Sequence, residues 1–197
     1  MSIKLLETVQ QNLGYPALQK IDPNTQQVLV DEKSPAEDKF SQAAIPAILT
    51  GLYNYVQSDE GASAFLRGDN SSNWVSKIFD DNKQEAIQTI SSYAKQSNED
   101  PIAKMNAIAN EAVKVAKESL PADATIKDVK TFFGNQKNEI LLYLPAELNM
   151  GELLHDTTLD DKTNKMEGPL SSLMKNIGAA FTNPVTDEEI ETAKRVL

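Results

Sequence analysis

Apolar residues recur along nearly the whole chain at helical spacing, and no segment alternates as a half-buried strand would. Ile3, Leu6, Val9 and Leu13 form the first stripe, with Ser2 placed to cap it and Gly14 to stop it. Asp22 followed by Pro23 predicts a short helix running to Val28. Over residues 36–57 the apolar positions (Phe40, Ala43, Ala44, Ile45, Ala47, Ile48, Leu49, Leu52, Tyr53 and Val56) leave no polar face. A helix of that kind belongs at the centre of a fold, wrapped by the others. Within it, Pro46 either kinks the helix or begins a second one after residues 40–44.

Ser58-Asp59-Glu60-Gly61 predicts a turn, with a short helix over 62–66 and a loop over 68–73. Trp74, Ile78 and Phe79 then return to the core, and Ala86, Ile87, Ile90, Tyr93 and Ala94 make the next stripe. Asp100-Pro101 is a cap with proline at the first helical position. The helix it opens should bury Ile102, Met105, Ala109, Ala112, Val113 and Ala116 and end at Pro121. Thr125-Ile126-Lys127-Asp128 reads as a capping box opening a helix through Phe132, stopped by Gly134, with another over 135–144. A short helix follows at 150–154, then a polar run, then a helix opened by Gly168-Pro169 that carries Leu170, Leu173, Met174, Ile177 and Phe181. Thr186-Asp187-Glu188-Glu189 caps a last helix holding Ile190, Ala193 and Leu197. The pattern predicts an all-α fold, an irregular bundle of roughly eight to ten short helices around a central apolar one.

No linker or low-complexity tract divides the chain, so residues 1–197 are expected to form a single helical domain. One internal echo stands out, Ile45-Pro46-Ala47-Ile48-Leu49-Thr50-Gly51-Leu52 against Leu144-Pro145-Ala146-Glu147-Leu148-Asn149-Met150-Gly151-Glu152-Leu153. It would fit a weak duplication dividing the chain into about 1–120 and 121–197.

Charge narrows the classes of partner. The net charge is −10 and the pI about 4.6, a field that repels phosphate backbones and anionic lipid. No basic patch interleaved with aromatics offsets it. The chain has no cysteine, which removes disulfides, thiolate metal ligands and a thiol nucleophile. Met1-Ser2-Ile3-Lys4-Leu5-Leu6-Glu7 lacks the layout of a secretory signal, and the apolar run over 43–56 is too short and too polar to span a bilayer. The expectation is a soluble cytoplasmic protein that binds neither nucleic acid nor membrane.

The densest set of oxygen ligands lies in the polar run after His155. On the twelve-residue calcium pattern, Asp156, Thr158, Asp160, Lys162 (through its carbonyl), Asn164 and Glu167 occupy the ligating positions. Asp161 stands where the pattern needs glycine, Thr163 where it carries an apolar residue, and Thr158 where Asp or Asn is expected, so the competing reading is a solvated connection between helices. His155 is the only imidazole and reads as a helix-end histidine beside the C-terminal dipole, since no nucleophile elbow accompanies it. Arg67-Gly68-Asp69 spells an adhesion tripeptide at a natural helix stop. Asp80-Asp81 and Glu99-Asp100 read as helix caps, and Tyr53, Tyr55 and Tyr93 as core or groove residues. Neither a phosphate-binding P-loop nor a dinucleotide fingerprint occurs.

Three stretches together carry a family resemblance. They are Leu5-Leu6 with Leu13-Gly14, Phe40-Ser41-Gln42-Ala43-Ala44-Ile45-Pro46-Ala47-Ile48-Leu49-Thr50-Gly51-Leu52, and Ser58-Asp59-Glu60-Gly61-Ala62. Over about residues 1–70, and more weakly over 135–180, the chain resembles the bacterial YidB-like domain of unknown function. The resemblance implies an all-helical fold, implies no established enzymatic activity and supplies no catalytic residues. The leading expectation is therefore a non-enzymatic bacterial module for protein contact or self-assembly, without a cofactor, whose partner is an unknown protein or a second copy. The alternative is a calcium- or ligand-dependent regulatory module using the loop 156–167. An acid–base enzyme built on scattered carboxylates is a third class, with no particular residues to carry it.

Overall fold

Every residue from Phe40 to Leu52 is buried, so the helix Ala36–Tyr55 has no solvent face through its middle. It is the axis of an all-α bundle in a computed structural model that describes residues 3–22, 35–68, 73–95 and 100–156. In chain order the helices are α1 (Leu5–Asn12), α2 (Ala36–Tyr55), α3 (Asp59–Arg67), α4 (Trp74–Phe79), α5 (Lys83–Ala94), α6 (Pro101–Ser119), α7 (Ile126–Leu141) and α8 (Met150–Leu153). Tight 3-10 turns occupy Asp80–Asn82 and Ala146–Leu148, and no strand occurs among the described residues. Helices α1, α4, α5, α6 and α7 all pack on α2, while α3 leans on α7. The all-α bundle around a central apolar helix is thus as the periodicity predicts. Among the described residues no helix is long and apolar enough to cross a membrane.

Pro46 lies inside α2 without dividing it. The ring removes one N–H from the ladder, but the surrounding apolar packing keeps both halves in one helix. The Thr50 hydroxyl, buried beside it, donates to the Pro46 carbonyl at 2.8 Å. The echoed segment around Pro145 folds otherwise, through the 3-10 turn and a left-handed Asn149 into α8.

Local signals fix several ends. Asp100 accepts the N–H groups of Ile102 and Ala103 at 3.1 and 3.2 Å, and Thr125 with Asp128 forms a complete capping box. Gly68 ends α3 in the left-handed region, at φ 70°, where glycine carries no Cβ penalty. Other ends differ from expectation. The N-cap position of α1 lies two residues beyond the expected one, at Lys4, and no side chain caps it. Helix α3 begins at Asp59, not 62, because Ser58 accepts the Gly61 N–H at 2.9 Å and turns the expected bend into a first helical turn. Ile102 is 40% exposed because the first turn of α6 has no buried residue, whereas Ile108 and Val115 join its core face. Asp80 and Asp81 cap no helix start and form the 3-10 turn itself, with Asp80 closing α4 through its N–H on the Ser76 carbonyl.

Gly134 does not stop a helix, since α7 runs through it to Leu141. Val129, Phe133, Gln136, Lys137 and Ile140 are buried along one face, and that continuous face outweighs the poor propensity of one glycine. A Cβ built at Gly134 meets nothing within 4 Å. Gly134→Ala should therefore raise stability by about 0.5–1 kcal/mol, read as a higher urea midpoint with an unchanged slope. A lower midpoint would show that this glycine has a tertiary role.

The expected helices at 23–28, after Gly168-Pro169 and after Thr186 lie outside the described residues.

Candidate functional site

Helix α5 has two faces. Ala86, Ile87, Ile90 and Ala94 are buried against the core, while Glu85, Gln88, Thr89 and Ser92 follow each other at helical spacing on the opposite side. Across from them, Pro145 opens the 3-10 turn that presents Glu147, and Leu148 (1% exposed) anchors that turn in the core. Between the two lies a groove of about 490 Å³, with half-buried Tyr93 in its wall.

Burial, and then the negative charge of Glu147, push the Tyr93 phenol up to about 12. It is therefore a neutral hydrogen-bond donor at physiological pH. Neither Glu85 nor Glu147 has a cation within 4 Å among the described residues. Two uncompensated carboxylates beside a phenol and two aliphatic hydroxyls suit a cationic, hydrogen-bonding ligand rather than an anion.

The Tyr93 shift has a consequence for stability. Its folded-state value lies above the ordinary 10.0. The stabilisation is present in full below about pH 10 and is lost as pH rises from there towards about 12. In a difference titration against Tyr93→Phe, one tyrosinate should appear near pH 12. Glu147→Gln should lower that midpoint without bringing it to the ordinary value, because burial is the larger cause. A Tyr93 midpoint near the ordinary value would contradict the geometry of the groove wall.

The chemistry expected of the polar run is only partly in view. His155 follows α8 in a left-handed conformation, its N–H on the Glu152 carbonyl at 3.2 Å, so it does sit at a helix C-terminus. Its Nε2 lies 3.2 Å from Asn82 Nδ2, which also donates to the Leu153 carbonyl at 2.9 Å. Asp156 is partly buried, with its N–H on the Gly151 carbonyl at 2.9 Å. Thr158, Asp160, Lys162, Asn164 and Glu167 lie outside the described residues. Among the described residues no group of three or more histidine, aspartate or glutamate side chains converges as a metal site. Of the adhesion tripeptide, Arg67 and Gly68 close α3 and Asp69 lies outside the described residues. So does Glu99, the neighbour of the Asp100 cap.

Sequence reasoning misses the buried polar side chains. Gln42 (3% exposed), Gln136 (5%) and Lys137 (9%) all face inward. Gln136 accepts the Leu5 N–H and donates to the Ile3 carbonyl, both at 3.0 Å, tying the start of α1 to α7. Lys137 donates to the Tyr53 hydroxyl at 3.2 Å and lies 4.5 Å from that ring's centre. The spacing of Phe133, Gln136, Lys137 and Ile140 is the signal that places them on one inward face.

Compared with protein-family models, with curated proteins and with solved structures, the chain finds no match.

Proposed function

We propose that this protein is a non-enzymatic interaction module whose α5 groove receives a lysine or arginine side chain from a partner protein. The observation that supports the reading is the pair of carboxylates, Glu85 and Glu147, without a cation partner among the described residues, in a groove of about 490 Å³ that the Tyr93 phenol also lines. A guanidinium or ammonium entering there gains charge-assisted bonds that water supplies less well, and the phenol can orient it. The net charge of −10 steers basic partners towards the whole surface and repels acidic ones. On this reading the protein works in solution in the cytoplasm, without a cofactor. The resemblance of residues 1–70 to the YidB-like domain accords with a role that is not catalytic.

Calorimetric titration with a capped tetra-arginine peptide tests the proposal, provided that general acidity is separated from the groove. Glu85→Gln/Glu147→Gln should weaken binding roughly tenfold. The equally discharged Glu118→Gln/Asp123→Asn, on exposed positions away from the groove, should weaken it much less. Equal losses in both double variants would mean that the peptide senses net charge alone, and the groove would have no docking role.

A further inference from the structure

Residues 15–22 form no helix, yet they are held along the bundle as a strap by bonds to their main chain. Tyr15 exchanges bonds with Gln10, its N–H reaching the Gln10 carbonyl at 3.1 Å and its carbonyl accepting from the Gln10 side chain. The Gln19 N–H donates to Gln42 Oε1 at 2.8 Å, and Gln42 Nε2 donates back to the Gln19 carbonyl at 3.0 Å. The same Nε2 donates to the Tyr143 carbonyl at 3.1 Å. Two residues on, the Ile21 N–H reaches the Leu142 carbonyl at 2.8 Å. Gln42 thus pairs with one residue of the strap as a neighbouring β-strand would, its primary amide standing in for a peptide group.

What this arrangement reads is limited. It senses a free N–H and C=O at Gln19, a free N–H at Ile21, and the apolar side chains that pack inward at every third position, Tyr15, Leu18 and Ile21. All three are only partly buried, and Pro16, Ala17, Gln19 and Lys20 are exposed. A segment held by a few bonds and half-buried side chains opens at a lower free energy than the core beneath it. Gln42, by contrast, is fixed in the middle of the central helix and stays in place when the strap lifts.

We propose that α2 and the end of α7 form a receptor for a non-helical peptide segment, that residues 15–22 fill it in cis, and that it accepts the same segment from a second copy of this chain. Every other copy supplies the required backbone groups and the three-residue apolar spacing by identity, so exchange between two copies preserves each bond. Leu142, whose carbonyl holds Ile21, also carries one of the two exposed large apolar side chains among the described residues, at 49%. This receptor is separate from the acidic groove and does not depend on it.

The test uses the full chain with its own strap loosened by Leu18→Ser/Ile21→Ser, and a dye-labelled, capped peptide of residues 14–22. Fluorescence anisotropy should show saturable binding at one peptide per chain, and weaker binding to the unaltered protein, whose own strap competes. N-methylation of the peptide at Gln19 removes the N–H that Gln42 accepts and should weaken binding roughly tenfold or more. That control alters only the peptide, so the fold of the receptor is untouched. Should the double variant lose its helical circular dichroism, Ile21→Ser alone serves as the loosened chain. Absence of saturable binding to a folded loosened chain overturns the proposal. Equal binding of the N-methylated peptide, or equal binding to the unaltered protein, does so as well.

Discussion

Phe133→Ala is expected to lower the unfolding free energy by about 3–5 kcal/mol, the range for deleting a fully buried phenylalanine that its neighbours cannot replace. Phe133 is completely buried on α7, where α3 leans on that helix. Its ring meets Phe65 of α3 edge-on, with centroids 5.5 Å apart and planes at 90°. It meets Phe132 at 5.3 Å and 86°. Phe65 in turn faces Trp74 at 6.3 Å, so the hole would open within a chain of rings that joins α7, α3 and α4. Rigid rings on three separate helices cannot all shift inward, which places the expected cost high in the range. Urea denaturation should show a large fall in midpoint with little change in slope. Phe132→Ala, at a partly buried position, should cost much less. A double-mutant cycle of Phe133→Ala with Phe65→Ala should return a coupling of about 0.5–1.5 kcal/mol from the edge-to-face contact. Additivity of the two losses would mean that the rings are near each other without interacting.

Phe133 also marks where the sequence is informative. Features whose causes lie within a few residues are legible: the run from Phe40 to Leu52 that leaves no polar face, the Thr125–Asp128 box, and the Asp100 cap before Pro101. Features that need a distant partner are not. Gln42 and Gln136 are polar residues whose burial is intelligible only once the backbone of Gln19, Ile3 and Leu5 arrives to bond them, in the case of Gln136 from more than 130 positions away. A buried amide without such partners would be costly, so local pattern alone argues for exposure. Gly134 misleads for the related reason that a local stop signal is overruled by a packing face extending on both sides of it. The α5 groove was half legible. The spacing of Glu85, Gln88, Thr89 and Ser92 is visible in the chain, and Tyr93 reads as a core or groove residue, but Glu147 arrives from a turn more than 50 positions later. The helix-end position of His155 is legible from the sequence, whereas its neighbour Asn82 comes from more than 70 positions away.

Gly61→Ala is expected to cost about 3 kcal/mol, at the upper end for an added methylene in a packed site, although alanine is the better helix former by about 1 kcal/mol. The reason lies at the corner where α2 turns into α3. The Ser58 hydroxyl donates to the Tyr55 carbonyl at 3.2 Å and accepts the Gly61 N–H at 2.9 Å, which draws the first turn of α3 against the end of α2. A Cβ on Gly61 would lie 2.0 Å from the Tyr55 oxygen and 2.9 Å from Ser58 Oγ. The first of these is backbone, so relief requires the two helices to separate and the Ser58 cap to break. Gly51→Ala provides the comparison. There the new Cβ would come 2.2 Å from Ile78 Cγ2, a branch methyl that yields only if χ1 or the short helix α4 shifts, with Phe79 at an ordinary 3.6 Å. Its cost should be smaller, about 1–2 kcal/mol. The ordering of the two variants is thus set by what each methyl group meets: a backbone carbonyl at the α2–α3 corner for Gly61, a side-chain methyl on the six-residue helix α4 for Gly51. Equilibrium unfolding that ranked Gly51→Ala as the more damaging would mean that α3 can swing away from α2 at little cost. The Ser58 corner would then be a hinge, not a fixed joint.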